Sequence, residues 1–361
     1  MFRSPSARRR LPVAAAFAVC LGLALGSPEA AAVPYSGFYV FGDSLSDTGN
    51  IATVTGGAIP PAPYVGGAFT NGPTWADRFA ADSGLFSVPQ PPLAPGSLLG
   101  NVGADYAWGG ARTYGHSVAA LTPIAKLSAQ IDAFAFQHGG VADPGALYAL
   151  WIGANDMQDA IAAAATAYTV ALAGGATPAA AQLIALPLID GAVSVAIANI
   201  DAAIASLLAM GADEFLVANL PDLALTPLLA PAAAFAHYAS TTFNDALLAL
   251  LTTRPGTAHL TDIYAGFNDL IANAAAYGFT NTTAPCYTGD DQTFVPNTGT
   301  VCATPDGYVF WDTFHPTAAA NVRVADMMVA ALAATIPEPD LYLLFAAGLL
   351  GLGGARRARR G

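Results

Sequence analysis

The chain alternates short apolar runs with longer stretches in which apolar positions recur at helical spacing. Five runs have the length and the β-branched or aromatic content of buried strands, at residues 38–41, 104–108, 146–152, 214–218 and 258–263. The stretches between them predict helices over residues 122–137, 157–210 (divided by Pro178 and Pro187), 232–251 and 317–332. Strands that alternate with helices favour a single α/β domain, a three-layer α/β/α sandwich around a parallel five-stranded sheet.

The N-terminal end departs from this pattern. Arg3 and the run Arg8 to Arg10 precede apolar residues from Leu11 to Leu25, and small residues follow as far as Ala32. This order predicts a secretory signal peptide over residues 1–32. The alternative is a transmembrane anchor, for which an apolar run of about fifteen residues is short. We therefore expect an exported protein whose folded body covers residues 33–335.

The C-terminal end, residues 336–361, carries Pro337-Glu338-Pro339, an apolar run from Leu341 to Gly354 and then four arginines. It resembles a PEP-CTERM sorting segment. The resemblance implies a protein exported by a Gram-negative bacterium to its surface or surroundings, transient membrane association through this segment, and cleavage by an exosortase-like sorting protease. The alternative is an ordinary C-terminal anchor, for which about fourteen apolar residues are again short.

Charge excludes one class of partner. The chain has 13 basic and 25 acidic residues, a formal net charge of −12. Eight of the basic but only three of the acidic residues lie in the two ends, so residues 33–335 hold 5 basic and 22 acidic side chains. A body this acidic repels phosphate backbones, and we expect no nucleic-acid partner.

Cysteine use is consistent with export. Cys20 lies in the apolar N-terminal run, which leaves Cys286 and Cys302 in a stretch rich in Thr, Gly, Asp and Pro. Two cysteines sixteen positions apart predict one disulfide in an oxidising compartment. A pair with no nearby histidine except His315 is a poor metal site, so we expect no metal.

Polar residues that could carry chemistry follow the predicted strands. The first strand ends at Gly42-Asp43-Ser44-Leu45, which places Ser44 near a helix N-terminus at the carboxyl edge of the sheet, where open α/β sheets build their sites. Taken alone, this is equally a turn with a capping serine. Asn155 follows the third strand, and Asp312 and His315 lie three positions apart before the last helix.

Four ordered blocks resemble those of the GDSL family, also called SGNH hydrolases: FYVFGDSLSDTGN at residues 38–50, AWGGAR at 107–112, GAND at 153–156 and DTFHP at 312–316. The resemblance implies a flavodoxin-like fold in which Ser44 is the nucleophile, His315 its base and Asp312 the residue that orients the base. It implies oxyanion donors at the Ser44 N–H, the Gly110 N–H and the Asn155 side chain, with Gly109 an alternative to Gly110. One departure is Asp105, where the family often has asparagine.

These features predict a secreted serine hydrolase that cleaves carboxylic esters, as an esterase or lipase, through an acyl-enzyme. Its partner would be a small-molecule or lipid ester, and no cofactor is expected. A polysaccharide O-deacetylase or a phospholipase is the enzymatic alternative. The non-enzymatic alternative is a catalytically idle surface or biofilm protein, which an intact set of the four side chains argues against.

Overall fold

A computed structural model describes residues 35–83 and 103–333, so the predicted signal peptide and the C-terminal sorting segment lie outside the described residues. The described chain forms one parallel sheet in the order β2-β1-β3-β4-β5, with helices on both faces. The predicted α/β fold with a parallel five-stranded sheet is confirmed. The strands are β1 Phe38–Gly42, β2 Gly103–Asp105, β3 Leu147–Trp151, β4 Glu214–Ala218 and β5 Ala258–Thr261.

The central strands are apolar on both faces because helices cover both. All five residues of β1 and of β3 are buried, and the two strands pair in register from Phe38–Leu147 to Gly42–Trp151. A parallel sheet brings the carboxyl ends of its strands to one edge. The loops that carry the candidate residues therefore leave from the same side of the sheet.

Two of the predicted helices differ in the structure, and the helix Ile263–Ala272 was not predicted. The helices are α1 Asn50–Val54, α2 Trp75–Ser83, α3 Thr122–Ala125, α4 Leu127–Gln137, α5 Ala154–Ala173, α6 Pro178–Met210, α7 Ala233–Leu251, α8 Ile263–Ala272 and α9 Ala318–Ala333.

The first difference is a break in the predicted helix over residues 122–137. Lys126 takes an extended conformation (φ −59°, ψ 156°), which ends α3 and starts α4 at Leu127. The second difference is at Pro187, which lies inside α6 and does not divide it. Pro187 is exposed, so the carbonyl four residues earlier, which loses its helical donor, can bond to water. Pro178 does start a helix as predicted, and the Thr177 side chain caps it by accepting the Ala180 N–H.

Cys286 and Cys302 form the expected disulfide. The loop that it closes, residues 286–302, packs on a small aromatic cluster separate from the main core. That cluster contains Tyr64, Tyr287 and Trp311. The disulfide loop is thereby held beside the segment that carries Asp312 and His315.

Candidate active site

Ser44 lies in a tight turn directly after β1. The Asp43 carbonyl accepts the N–H groups of Ser46 and Asp47 (both 3.0 Å), which closes the turn and directs the chain toward α1. Gly42 at the end of β1 has no room for a side chain, because a Cβ there would come within 2.4 Å of the Trp151 carbonyl on β3. The nucleophile candidate is thus fixed against the central strand pair.

His315 and Asp312 come from the loop before α9 and meet Ser44 at the carboxyl edge of the sheet. The Ser44 Oγ lies 2.7 Å from His315 Nε2, and His315 Nδ1 lies 2.7 Å from Asp312 Oδ2. With the proton on Nδ1, the imidazole donates to Asp312 and accepts from the Ser44 hydroxyl. The three residues predicted to act together lie in hydrogen-bond sequence, although 271 positions separate Ser44 from His315.

Asp312 is fully buried, and four hydrogen bonds compensate for its burial. Its Oδ1 accepts the N–H groups of Phe314 (2.8 Å) and His315 (2.6 Å), and its Oδ2 accepts both the His315 Nδ1–H and the Tyr64 hydroxyl (2.7 Å). Burial alone would raise the pKa of Asp312. The charge and hydrogen bonds of His315 outweigh burial and hold the pKa of this carboxyl below its usual value.

For His315 burial has the opposite effect: it acts to lower the pKa of the imidazole, and it is the largest single influence on that pKa. The carboxylate of Asp312, with smaller contributions from Asp291 and Asp43, opposes burial and leaves the pKa of His315 above its ordinary value. A basic imidazole that remains bonded to a serine hydroxyl is the arrangement needed to remove the proton of that hydroxyl.

Tyr64 is the residue at this site that sequence reasoning missed. It belongs to the loop between α1 and α2 and lies 248 positions before Asp312. Its ring packs edge-on against Phe69, Tyr287 and Trp311, which leaves the side chain 7 % exposed and fixes its hydroxyl. A tyrosine in a Gly- and Pro-rich loop gives no signal in a single sequence that it contacts a distant carboxylate.

A hydrogen bond separates the two glycines that the sequence offers as oxyanion donors. The Gly109 N–H donates to Asp47 Oδ2 (2.7 Å), so it is already engaged. Gly109 and Gly110 both line the cleft with Ser44 and Asn155, and Gly110 has φ +79°. The geometry favours Gly110 over Gly109 as a donor.

Asn155 is the second residue of α5, shortly after the end of β3. One hydrogen of its Nδ2 group donates to the Ala111 carbonyl (3.0 Å), which orients the amide and leaves the second hydrogen for a ligand. Ser44, His315 and Gly110 line the cleft together with Asn155. The structure therefore brings the predicted catalytic and oxyanion residues to one place.

The cleft has a volume of about 420 Å³ and mixed walls. Ile51, Ile59 and Phe69 line part of it, and the disulfide loop supplies polar groups from Asp291 to Thr293. Asp291 links this loop to the segment that carries His315, because its Oδ2 accepts both the N–H (2.7 Å) and the hydroxyl (2.5 Å) of Thr313. Within residues 35–83 and 103–333, no three His, Cys, Asp or Glu side chains are grouped so that they could hold a metal ion.

Comparison with known proteins identifies the family. The profile of the GDSL-like Lipase/Acylhydrolase family matches residues 38–328, and that of the PEP-CTERM protein-sorting motif matches residues 335–360. The chain belongs to the GDSL lipase/acylhydrolase family. It is a hydrolase that acts on esters, and its C-terminal motif indicates export and surface sorting.

The relatives that align with most of this chain share less than a third of its residues. A GDSL esterase/lipase of Arabidopsis thaliana is 28 % identical over 321 residues, which cover 80 % of this chain and 84 % of the relative. Esterase EstA of Pseudomonas aeruginosa is 29 % identical over 350 residues, and the match covers 88 % of this chain and 50 % of EstA. A solved structure of a GDSL-like lipase from Parabacteroides merdae has a TM-score of 0.42 at 13 % identity, over 83 % of this chain and 96 % of that one.

The departure from the GDSL pattern at Asp105 has a structural explanation. The Asp105 carboxylate accepts the N–H and hydroxyl of Thr48 (2.7 and 2.8 Å) and the N–H of Ala107 (2.8 Å). Asn50 completes the connection by donating to the carbonyls of Asp105 and Ala107. Asp105 thus joins the serine block to the Gly109-Gly110 segment, and it does not line the cleft.

The disulfide gives the first testable prediction for this GDSL hydrolase. Cys286→Ser/Cys302→Ser should lower the free energy of unfolding by about 3 kcal/mol in the chain-entropy model for a loop of this length. It should also lower ester hydrolysis at temperatures where the fold is intact, because the loop holds Thr313 through Asp291. Thermal unfolding measured beside hydrolysis checks both; a stability loss with unchanged hydrolysis would contradict the link.

Proposed function

We propose that this protein is a secreted serine esterase or lipase that cleaves carboxylic esters through an acyl-enzyme on Ser44. The observation that carries the proposal is the pair of 2.7 Å contacts that link Ser44, His315 and Asp312. The raised pKa of His315 and the position of Gly110 and Asn155 in the same cleft support it.

In the first half-reaction His315 Nε2 takes the proton of the Ser44 hydroxyl as the oxygen attacks the ester carbonyl. The negative charge that develops on the carbonyl oxygen is stabilised by the N–H groups of Ser44 and Gly110 and by the free Nδ2 hydrogen of Asn155. The imidazolium then protonates the leaving alcohol, and the acyl group remains on Ser44.

In the second half-reaction His315 deprotonates a water that attacks the acyl-enzyme, and the resulting imidazolium returns the proton to the Ser44 oxygen as the acid leaves. Asp312 keeps the Nδ1–H tautomer throughout and stabilises the imidazolium. Tyr64, through its bond to Asp312 Oδ2, acts as a positioning residue for the carboxylate.

Two measurements on the purified protein test the proposal. A fluorophosphonate probe should label the wild-type chain at Ser44, identified by peptide mass spectrometry, whereas an idle protein would stay unlabelled. Turnover of p-nitrophenyl esters of increasing acyl length then identifies the substrate class. Activity confined to acetate would favour an O-deacetylase, and activity that extends to long chains would favour a lipase or phospholipase.

The pH dependence of hydrolysis follows from the pKa of His315. The base must be neutral to accept the serine proton, so kcat/KM should fall as pH decreases through the pKa of His315. Because Asp312 raises this pKa, the midpoint of the acid limb should lie above the ordinary histidine value of about 6.5. A midpoint well below 6.5 in kcat/KM measured against pH would contradict the assignment of His315 as a base paired with an ionised Asp312.

Tyr64→Phe should lower kcat about tenfold, because it removes one hydrogen bond to a buried carboxylate while keeping the ring. It should also move the acid limb of kcat/KM to higher pH. The Asp312 carboxylate, with one hydrogen-bond donor fewer, then stabilises the imidazolium of His315 more strongly and raises its pKa further. The matched control is Tyr287→Phe. Tyr287 belongs to the same aromatic cluster as Tyr64, but its hydroxyl contacts Thr298 instead of Asp312. An equal loss in both variants, or an unmoved acid limb in Tyr64→Phe, would show that Tyr64 only packs.

For localisation, we propose that residues 1–32 direct export and are removed, and that an exosortase-like protease processes the chain near Pro337-Glu338-Pro339. Before that cleavage the apolar run from Leu341 to Gly354 would hold the chain at the membrane. Mass spectrometry of the protein recovered from its host would test both termini.

A further inference from the structure

A long helical hairpin extends from the candidate active-site edge of the sheet. Within the part of the chain that the structure describes, α6 is the one helix long and apolar enough to cross a membrane by length and composition. One stripe of α6 is buried, from Ala181 through Ile200 to Leu207, so α6 is part of the fold. Between Pro178 and Ile189, however, only Ala181, Ala185 and Ile189 are buried.

Two contacts show how far α6 reaches. Near the C-terminus of α6, the Met210 carbonyl accepts the N–H of Ala142. Ala142 comes shortly before β3, so this contact marks the amino end of that strand. Further back, the Asn199 side chain donates to Thr113 Oγ1 (3.3 Å), and Thr113 bonds to Asp156 in the first turn of α5, where β3 has just ended. The stretch from Asn199 to Met210 corresponds to about 16 Å of helix, which matches the length of a five-residue strand.

The remaining part of α6, from Pro178 to Asn199, therefore lies beyond the carboxyl edge and corresponds to about 30 Å of helix. Helix α5 packs beside this part of α6, and α7 contacts both helices. Tyr168 of α5 contacts Phe235 of α7, and the Tyr238 hydroxyl of α7 donates to Asp190 of α6. We call residues 169–189, which lie past these contacts, the apolar tip. It stands on the same side of the sheet as Ser44.

The apolar tip carries no charge in an otherwise acidic protein. From residue 160 to residue 189 the sequence has no Asp, Glu, Lys, Arg or His. Its exposed side chains include four large aliphatic ones beside Gln182, threonines and alanines: Val170 is 66 % exposed, Leu183 78 %, Ile184 53 % and Leu188 44 %. Exposed apolar groups this close together on an uncharged surface indicate an interaction site.

Several polar groups of the tip are satisfied within the hairpin itself. At the turn, the N–H groups of Gly174, Gly175 and Ala176 donate to carbonyls of α5 at 2.9 to 3.0 Å, and Thr177 accepts the Ala180 N–H. The Thr169 hydroxyl donates to the Ala165 carbonyl (2.8 Å). A helix pair with an internally bonded turn and no charge can enter the apolar part of a bilayer at little cost in lost hydrogen bonds.

We propose that the apolar tip inserts into the surface of a phospholipid membrane and places the ester site against it, so that lipid esters are substrates. The choice of a membrane over a charged protein partner rests on the absence of charge and on the internal hydrogen bonding of the tip. The sorting segment that ends the same chain supports it independently, because such segments act at a membrane. The lipid-substrate part of this inference rests on the proposed function.

Insertion can be measured directly in the full chain with a local probe, so that the C-terminal segment does not obscure the result. Leu183→Cys and the control Leu248→Cys, each in a Cys20→Ser background, are labelled with the environment-sensitive dye NBD; Leu248 is 47 % exposed on α7. With phosphatidylcholine vesicles, emission at residue 183 should shift to the blue and be quenched by spin-labelled lipid, and emission at residue 248 should not. An unshifted signal at residue 183 would overturn the proposal.

A blue shift at residue 183 without lipid would also overturn it. If this lipid-independent shift varied with protein concentration, the tip would bind a second copy of the chain. If it were independent of protein concentration, the tip would bind another segment of the same chain.

Kinetics separate docking from catalysis. Leu183→Gln/Ile184→Gln should lower hydrolysis of a vesicle-embedded ester at least tenfold and leave soluble p-nitrophenyl acetate within twofold of wild type. The control Leu248→Gln/Val329→Gln, with two exposed apolar residues on α7 and α9, should change neither rate. Unchanged vesicle hydrolysis in the tip variant, or an equal loss on both substrates, overturns the proposal. Failure of the proposed function would look different: wild type would insert but hydrolyse neither ester.

Discussion

Ser44→Ala is expected to lower kcat for ester hydrolysis by about 10⁶-fold, the size of the loss found when the nucleophile or the base of a serine hydrolase triad is removed. The residual rate would come from oxyanion donors and substrate binding. His315→Ala should lose a similar amount, and the double variant little more, because the two residues act as one unit through their 2.7 Å contact. Steady-state kinetics and fluorophosphonate labelling measure the effect.

The matched control is Ser46→Ala, two positions further along the same turn. The Ser46 Oγ accepts the Trp75 Nε1–H (3.0 Å), so this variant should lose stability and keep activity. Ser44→Ala should instead keep its unfolding temperature and lose activity. If Ser44→Ala retained turnover or probe labelling, another nucleophile would be responsible and the proposed mechanism would be wrong.

The sequence predicted the sheet well because strand signals in a parallel sheet are local. A strand covered on both faces is a continuous apolar run, and the run at residues 214–218 corresponds in full to β4. Polar residues that follow such runs must gather at one edge, so the neighbourhood of Ser44, Asn155 and His315 followed from topology together with the family resemblance. Their roles remain predictions until the variants are measured.

What the sequence did not predict depends on contacts between distant segments. Tyr64 bonds to Asp312 across 248 positions, and no periodicity or motif connects them. The choice between Gly109 and Gly110 was open because both fit the motif, and a bond from the Gly109 N–H to Asp47 favours Gly110. Pro187 was expected to divide a helix, but an exposed proline can be tolerated where solvent replaces the lost bond.

The apolar tip illustrates a similar limit. The sequence shows an alanine-rich helical stretch, and such a stretch is as typical of a buried core as of a projecting hairpin. The contacts of Met210 with Ala142 and of Asn199 with Thr113 fix the level of the sheet along α6 and reveal that the uncharged part lies beyond its carboxyl edge. Exposure is a tertiary property, and single-sequence patterns do not carry it.

Asn155→Ala tests the oxyanion assignment. The variant should lower kcat about 10²- to 10³-fold, equivalent to about 3–4 kcal/mol of transition-state stabilisation, because one of three donors to the developing charge is lost. KM should change little, since the ground-state carbonyl needs this donor less than the oxyanion does. The control Asn199→Ala removes an amide that bonds to nearby Thr113, and it should leave kcat within a few fold of wild type. A raised KM with unchanged kcat would assign Asn155 to substrate binding and leave the oxyanion to the backbone N–H groups of Ser44 and Gly110.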